Sequence, residues 1–329
     1  MPEPDILLLR ALLAAGSDNV PGPKLARQLG VSRTAVRTHL RRLARQGFVI
    51  TSTRRGYRLD GPPAEFHPTL ILAHLRGRLR PAQFVCLPTV DSTNSEAERL
   101  LAAGAPVPLV IPARAQTQGR GRHGRSWHSP AGGNLYSTFV FRPRLDPAHL
   151  QGFTLWMGLN ICELVANFCQ LQPGLKWPND LFIGGRKAGG MLTEARVDAD
   201  QIRDLVFGLG INVNGRAAAL PRELQRTATS LSEVAGAPLD LNRFAAALIG
   251  RLLSAYAEFI DGSYRARFAD YWTRYDVLRG RPVIVVQGTR TITGAAIGID
   301  AEGSLLVRLA TGRMERFRAG EVTLDKGAV

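Results

Sequence analysis

In the first sixty residues apolar positions recur at helical spacing in three short blocks. Ile6, Leu9, Leu12 and Leu13 form one face of a helix from Asp5 to Ala15, closed by Gly16, and a second helix from Pro23 to Leu29 ends at Gly30. Ser32 is placed to cap a third, which runs to about Gln46 with Val36, Leu40 and Leu43 as its buried stripe and Gly47 as its stop. From Phe48 to Leu59 the period changes to two and breaks at Arg54, Arg55 and Gly56, as a hairpin requires. The pattern predicts a helix-turn-helix with a wing.

Asp60, Gly61, Pro62 and Pro63 can continue neither a helix nor a central strand, so a domain boundary is expected there. Beyond it, strand-like runs cover Phe84 to Val90, Leu109 to Gln116, Asn134 to Phe141, Leu181 to Ile183, Gly190 to Arg196 and Leu205 to Val213. Helices are expected at about Asn94 to Ala103, Ala148 to Cys169, Leu241 to Ile260 and Tyr264 to Tyr275. Hairpin signals such as Gly184 and Gly185 favour a mixed, largely antiparallel α+β sheet over a doubly wound one. From Val283 to Leu324, four or five short alternating strands turn at Gly288, Gly303 and Gly312 and fit a small barrel. The expected multidomain layout is 1–62, 63–278 and 279–329.

Charge changes this picture more than composition does. Lys and Arg total 42 against 27 acidic residues, a formal net charge of +15 that attracts phosphates or nucleic acid. Three cysteines, Cys86, Cys162 and Cys169, with no CxxC pair, point to cytosolic thiols rather than a disulfide framework or zinc knuckle. The apolar stretch Ile6 to Ala15 follows acidic Glu3 and Asp5 and contains Arg10, so it does not read as an export signal. No run reaches the roughly 18 apolar residues of a membrane span. A cytoplasmic protein is expected, without a membrane partner.

Residues 1–60 hold eleven basic and four acidic residues, a local charge of +7. Arg33, Thr34, Arg37, Thr38 and Arg41 fall opposite the buried stripe of the third helix, where groove-reading residues lie in such motifs. With Ser32 at the helix start, and Arg54 and Arg55 at the wing tip beside phosphates, this surface is expected to bind DNA. A winged helix used for protein contacts, its arginines merely solvated, is the competing reading.

The stretch Gln116 to Tyr136 reads QTQGRGRHGRSWHSPAGGNLY. Its Gly119, Gly121 and Gly124 satisfy GxGxxG, but Trp127, Pro130, Gly132 and Gly133 oppose the helix that a dinucleotide site needs next. Arg120, Arg122 and Arg125 alternate with the glycines, so a flexible backbone can lay bidentate donors over phosphate or carboxylate. A second stretch, KWPNDLFIGGRKAGGMLTE from Lys176 to Glu194, sets Asn179 and Asp180 in a turn and Lys187 before Gly189 and Gly190. Lys187 could neutralise charge as a carboxylate attacks a phosphate, and Asp180 could bind Mg²⁺. An exposed hairpin lysine and a turn-forming aspartate are the plainer alternatives. There is no P-loop, HExxH or GxSxG signature, so the expected chemistry is electrostatic rather than nucleophilic.

The ordered motifs DSTN (Asp91 to Asn94), QTxGRGRxGR (Gln116 to Arg125), SP..GNLY (Ser129 to Tyr136), KWPND (Lys176 to Asp180), RKxGG (Arg186 to Gly190) and GxGINV (Gly208 to Val213) resemble those of biotin protein ligases. With the winged helix, the chain is similar to the bifunctional kind, a biotin–[acetyl-CoA-carboxylase] ligase that is also the biotin operon repressor. The resemblance implies a class II synthetase-like centre and a C-terminal SH3-like β-barrel ending in FRAGEVTL, Phe317 to Leu324. It implies that Ser92, Thr93 and Gln116 recognise the ureido ring of biotin, with Asn94, Gly119, Arg120, Gly121, Gly189 and Gly190 near the vitamin and Trp127 and Tyr136 as aromatic wall. Lys187 would bridge the biotin carboxylate and the α-phosphate, while Arg120, Arg122 and Arg125 would belong to the loop that orders over biotin and the adenylate, Arg122 holding the reactive intermediate in place. Asn179, Asp180 and Asn212 would organise nucleotide and Mg²⁺. One departure stands out: Thr227 to Leu231 contains Ala228 and no aromatic residue, where some members carry a tryptophan near the adenine.

The implied partners are biotin, ATP with Mg²⁺, the biotin carboxyl carrier protein of acetyl-CoA carboxylase, operator DNA and a second copy in a ligand-linked homodimer. Two alternatives remain at this point, a lipoate-type acyl-adenylate ligase on the same scaffold and a biotin-sensing transcription factor without ligase activity.

Overall fold

The computed structural model describes residues 4–63, 65–75 and 80–324, so the outermost ends of the expected first and third domains, 1–3 and 325–329, lie outside the described residues. It divides into two compact units, Met1–Gly77 with Asp240–Ala247, and Arg78–Leu239 with Leu248–Val329.

The first unit carries α1 (Pro4–Ala15), α2 (Gly22–Leu29), α3 (Arg33–Arg45), the hairpin strands β1 (Val49–Thr53) and β2 (Gly56–Gly61), and α4 (Pro68–His74). The Ser32 hydroxyl accepts a hydrogen bond from the Ala35 amide at 3.1 Å and satisfies one open donor of α3. Val36, Leu40 and Leu43 are buried with Leu8, Leu9, Leu12, Leu70 and Ala73, so the periodic stripe is the core of this unit. Gly56 at the turn has φ +133°, and a Cβ there would lie 2.2 Å from the Val20 carbonyl oxygen, so no side chain fits. Helix α4 was not expected from the sequence.

In the second unit the sheet order is β3 (Gln83–Phe84), β4 (Leu109–Ala113), β5 (Leu135–Phe141), β9 (Gln201–Ile211), β8 (Arg186–Asp198), β7 (Asp180–Ile183) and β6 (Pro173–Lys176), seven strands among the described residues. All pairs are antiparallel except β3 with β4. The mixed, mainly antiparallel sheet matches the expectation. Helix α5 (Thr93–Ala102) packs near β4 and β5, and the 20-residue α6 (Leu150–Cys169) is mostly buried. All of β5 is buried on both faces, which accounts for its unbroken apolar run. Phe141 stacks on Tyr256 with centroids 4.0 Å apart, and Phe153 meets Phe207 edge-on, tying the long helices to the sheet.

The expected strand Phe84 to Val90 is corrected to a two-residue strand followed by isolated parallel bridges, Leu87 to Ala113 and Val90 to Gln116. Pro88 has no amide proton, so a continuous ladder cannot pass through it. Strand β6 and the short helices α7 (Arg222–Gln225) and α8 (Leu231–Ala235) are additions to the sequence reading. Helices α9 (Leu241–Ile260) and α10 (Arg265–Tyr275) follow. The last segment is an antiparallel sheet of β10 (Pro282–Gln287), β11 (Arg290–Ile299), β12 (Leu305–Arg308), β13 (Met314–Phe317) and β14 (Glu321–Leu324), in the order β13-β12-β11-β10-β14. Its strands span the stretch read as barrel strands. Among the described residues no helix is long and apolar enough to cross a membrane.

Candidate functional site

Strands β8 and β9 form the floor of the candidate active site, where Gly190, Gly208 and Gly210 leave room above the sheet. Gly190 is paired with Gly210, and Leu192 with Gly208, so the glycines of GxGINV fall on one face two residues apart and open a trough. Two side chains fill it. A Cβ on Gly210 would lie 2.4 Å from the Trp127 indole nitrogen, and a Cβ on Gly208 would lie 2.3 Å from Asn94 Oδ1. The glycines are therefore requirements of close packing rather than of a phosphate turn.

Beside the trough, the N-terminus of α5 presents a polar shelf. Gln116 Oε1 accepts from the Thr93 amide at 2.8 Å and from its hydroxyl at 3.0 Å, while Gln116 Nε2 donates to Ser129 Oγ at 2.9 Å. The Thr138 hydroxyl lies 2.8 Å from Thr93 Oγ1 and 2.6 Å from Asn94 Oδ1. Ser92 caps the helix by accepting from the Asn94 amide at 3.3 Å. Ser92, Thr93 and Asn94 are buried, so this shelf is a hydrogen-bonded polar surface with fixed side chains.

The arginine-rich stretch folds over the trough as a narrow loop. The Trp127 amide donates to the Gly119 carbonyl at 2.8 Å and the Gly121 amide to the Arg125 carbonyl at 2.7 Å. Arg120 reaches Glu194 at 2.5 Å and Glu98 at 3.3 Å. Arg125 reaches Glu321, at the start of β14, at 2.5 Å. Arg122 donates to Asn179 Oδ1 at 3.2 Å, and Asn179 Nδ2 in turn donates to the Met191 carbonyl at 2.6 Å.

Cations face a cleft of about 240 Å³ bounded by the shelf, the loop, the 176–180 turn and residues 320–323. Lys187 Nζ is 2.7 Å from Asp180 Oδ1 and 5.3 Å from the Trp127 ring centroid. Burial pulls the Arg122 guanidinium and the Lys176 ammonium below their ordinary values; Asp180 opposes both shifts, and Lys187 adds to that of Lys176. A second hollow of about 430 Å³ shares Arg122, His123, Pro178, Asn179, Met191 and Leu192 with the first, so these residues stand in the partition. No three His, Cys, Asp or Glu side chains among the described residues are grouped to hold a metal.

Of the residues singled out in the sequence, Ser92, Thr93, Asn94, Gln116, Arg120, Gly121, Arg122, Arg125, Trp127, Asn179, Asp180, Lys187 and Gly190 line this cleft together. Gly119, Tyr136, Gly189 and Asn212 are absent from its lining. A Cβ on Gly119 would lie 2.4 Å from the Trp127 carbonyl oxygen, and one on Gly189 would lie 2.9 Å from that of Gly210. Tyr136 is buried, its hydroxyl donating to the Pro130 carbonyl at 3.1 Å, and burial pushes the phenol up to about 12. Asn212 donates to the Thr229 carbonyl at 3.0 Å. Sequence reasoning passed over Lys176, Glu194, Thr138 and Glu321. Lys176 opens a quoted motif and was within reach; Glu321 meets the loop across nearly two hundred residues, which no spacing reveals.

In the first unit Ser32, Arg33, Thr34, Arg37, Thr38, Arg41, Arg54 and Arg55 are all exposed. Other basic residues are used internally: Arg42 pairs with buried Asp5 at 2.6 Å, Arg58 with Asp60 at 2.5 Å, and Arg10 donates to the Leu72 carbonyl at 2.8 Å. The unit thus separates arginines engaged in internal contacts from an exposed basic face.

Comparison with known proteins gives three family matches: an HTH domain over residues 6–58, the Biotin/lipoate A/B protein ligase family over 86–212, and the Biotin protein ligase C terminal domain over 279–325. The chain is 33% identical to the Bifunctional ligase/repressor BirA of Escherichia coli, covering 97% of this chain and 96% of that protein. It is 31% identical to the protein of the same name from Bacillus spizizenii, with 95% and 96% covered. Among solved structures it is similar to the biotin protein ligase of Aquifex aeolicus in complex with biotin and ATP, with a TM-score of 0.63 and 29% identity over 74% of this chain and 99% of that one.

Proposed function

The chain belongs to the biotin protein ligase family, in the form that joins ligase and repressor, and from that premise we propose how its residues divide the work. The protein activates biotin with ATP, transfers it to a lysine of a biotin carboxyl carrier protein, and represses transcription through its HTH domain. The observation that carries the assignment of the site is that the shelf of Thr93 and Gln116 and the cations Arg122, Lys176 and Lys187 open onto one cleft.

In the first step a carboxylate oxygen of biotin attacks the α-phosphorus, the bond to the β-phosphate oxygen breaks, and pyrophosphate leaves. Both reactants are anions, so the catalyst must hold them in line and screen their repulsion. Ser92, Thr93 and Gln116 hold the ureido end, and Trp127 walls the rings. The ammonium of Lys187, released from Asp180, spans the carboxylate and α-phosphate. Arg122, fixed by Asn179, holds the adenylate, and Arg125 keeps the loop closed. Asp180, Asn179 and Asn212 serve the nucleotide side. Asp180 would hold Mg²⁺, which would screen the charge of the triphosphate; one carboxylate at the cleft fits a Mg²⁺ bound with its nucleotide and forms no resident cage. In the second step the neutral carrier amine attacks the acyl carbonyl, AMP departs and the nitrogen loses a proton. Exclusion of water by the loop protects the mixed anhydride until then.

Charge on Lys176 has a testable pH signature. Because burial lowers its proton affinity, kcat/KM for ATP falls on the alkaline side at a lower pH than an ordinary lysine would give, and Lys176→Arg moves that limb upward. ATP–pyrophosphate exchange across pH measures it; an identical limb in both proteins removes Lys176 from the profile. Gly210→Ala forces Trp127 off the floor at an overpacking cost of roughly 1–3 kcal/mol, and biotin affinity by calorimetry falls by about tenfold.

We further propose that the protein acts in the cytoplasm as a homodimer when it holds the adenylate, since paired recognition helices match successive operator half-sites. The deciding assay for the ligase is transfer of labelled biotin to a carrier domain with and without ATP and Mg²⁺. ATP-dependent labelling that lipoate fails to compete supports the reading. Biotin binding without labelling refutes it and leaves a sensor.

A further inference from the structure

Glu194 lies on β8 four residues beyond Gly190, at the end of the Lys176 to Glu194 stretch, and its two carboxylate oxygens serve different parts of the site. Oε2 accepts from Asn94 Nδ2 at 2.6 Å, and Oε1 accepts from the Arg120 guanidinium at 2.5 Å. Asn94 is buried in the polar shelf, packed over Gly208. Arg120 is on the loop. One carboxylate therefore joins the polar shelf to the glycine-rich arginine loop, within a chain of contacts running from Gln116 through Thr93, Thr138 and Asn94.

We propose that Glu194 is a positioning residue that latches the arginine loop to the biotin shelf, so that an occupied shelf favours a closed loop and the adenylate is retained for the carrier. The proposal rests on the ligase reading. Its physical basis is geometric: both partners of Glu194 are donors, and only an ionised carboxylate accepts from both without a proton between them. Its glutamine isostere keeps one acceptor and turns an amide toward the other donor, so one of the two bonds must be lost. Arg120 has Glu98 as a second partner at 3.3 Å, which weakens the loss without replacing the link to Asn94.

The expected consequence is leakage rather than failure of the first step. With Glu194→Gln, adenylate formation stays near wild type, while the fraction of biotinyl-adenylate released to solvent rises roughly five- to tenfold, as coupling within a contact network allows. The experiment uses the full-length protein, labelled biotin, ATP and carrier. It scores carrier labelling, free adenylate, and labelling of an added bystander protein such as albumin. Wild-type carrier labelling first establishes the ligase reading on its own. The variants Glu194→Gln, Arg120→Ala and the double variant then form a cycle, with a thermal melt of each.

If Glu194 acts through Arg120, the double variant leaks no more than Arg120→Ala alone. Additive leakage, or a carrier-to-bystander ratio unchanged in Glu194→Gln, overturns the proposal while leaving the ligase assignment intact. Should Glu194→Gln fail to fold, Arg120→Ala, which alters a loop side chain only, must still raise leakage; wild-type retention in that variant overturns the latch equally.

Discussion

Lys187→Ala is expected to slow adenylate formation by about 10²–10³-fold, the usual cost of removing one preorganised charge donor from a reacting oxyanion. The fold should survive, because the ammonium is about one-third exposed and its single ion pair is with Asp180 at 2.7 Å. Removing it leaves Asp180 facing the cleft unneutralised, so binding of ATP should weaken as well, from repulsion added to lost attraction. Transfer from synthetic biotinyl-adenylate to the carrier bypasses the step in which carboxylate and phosphate meet, and should suffer much less. Pyrophosphate exchange and single-turnover transfer separate the two, and equal losses in both would count against the bridging role. Near-wild-type exchange would exclude Lys187 from the mechanism.

Arg37→Ala and Arg41→Ala are expected to have comparably large effects on the second activity. Each base-reading arginine is worth roughly 1–3 kcal/mol, or about ten- to a hundredfold in operator affinity, and relaxes sequence preference. Arg54→Ala at the wing should instead weaken all DNA similarly and flatten the salt dependence by about one counterion. Arg42→Ala forms a useful contrast: it strips one partner from buried Asp5, leaving the His39 contact at 2.7 Å, so it should lower the melting temperature of the unit before it alters which bases are preferred. Titrations of operator and scrambled DNA across salt, beside thermal melts, distinguish these outcomes.

The winged helix was legible because independent signals coincide there: a capping serine, a stripe at helical period and glycines at the stops. The trough was half legible. Gly208 and Gly210 stood in the quoted GxGINV motif, yet nothing in their spacing said that Asn94 and Trp127 lie over them, since packing partners from distant segments leave no periodic trace. Strand β6 begins at Pro173 and Gly174, residues that suppress a strand prediction, and is nonetheless held by pairing along all four positions to β7. The Phe84 to Val90 run failed in the opposite sense, with apolar periodicity outweighing the missing amide of Pro88. Glu194 reads in sequence as an ordinary acid on a strand; its importance depends on two donors that meet only after folding.

The segment after α7 has an implication for how freely this site can vary. The Lys187 amide donates to the Thr227 carbonyl at 2.8 Å, and the Thr229 amide donates to the Lys187 carbonyl at 2.9 Å, so the lysine is clasped on both sides by main chain. Ala228, whose aromatic counterpart the sequence lacks, sits between those two bonds. Anchoring by backbone makes no demand on side-chain identity. Substitution at position 228 therefore leaves the clasp intact: the side chain there can change while the backbone bonds that fix Lys187 stay in place.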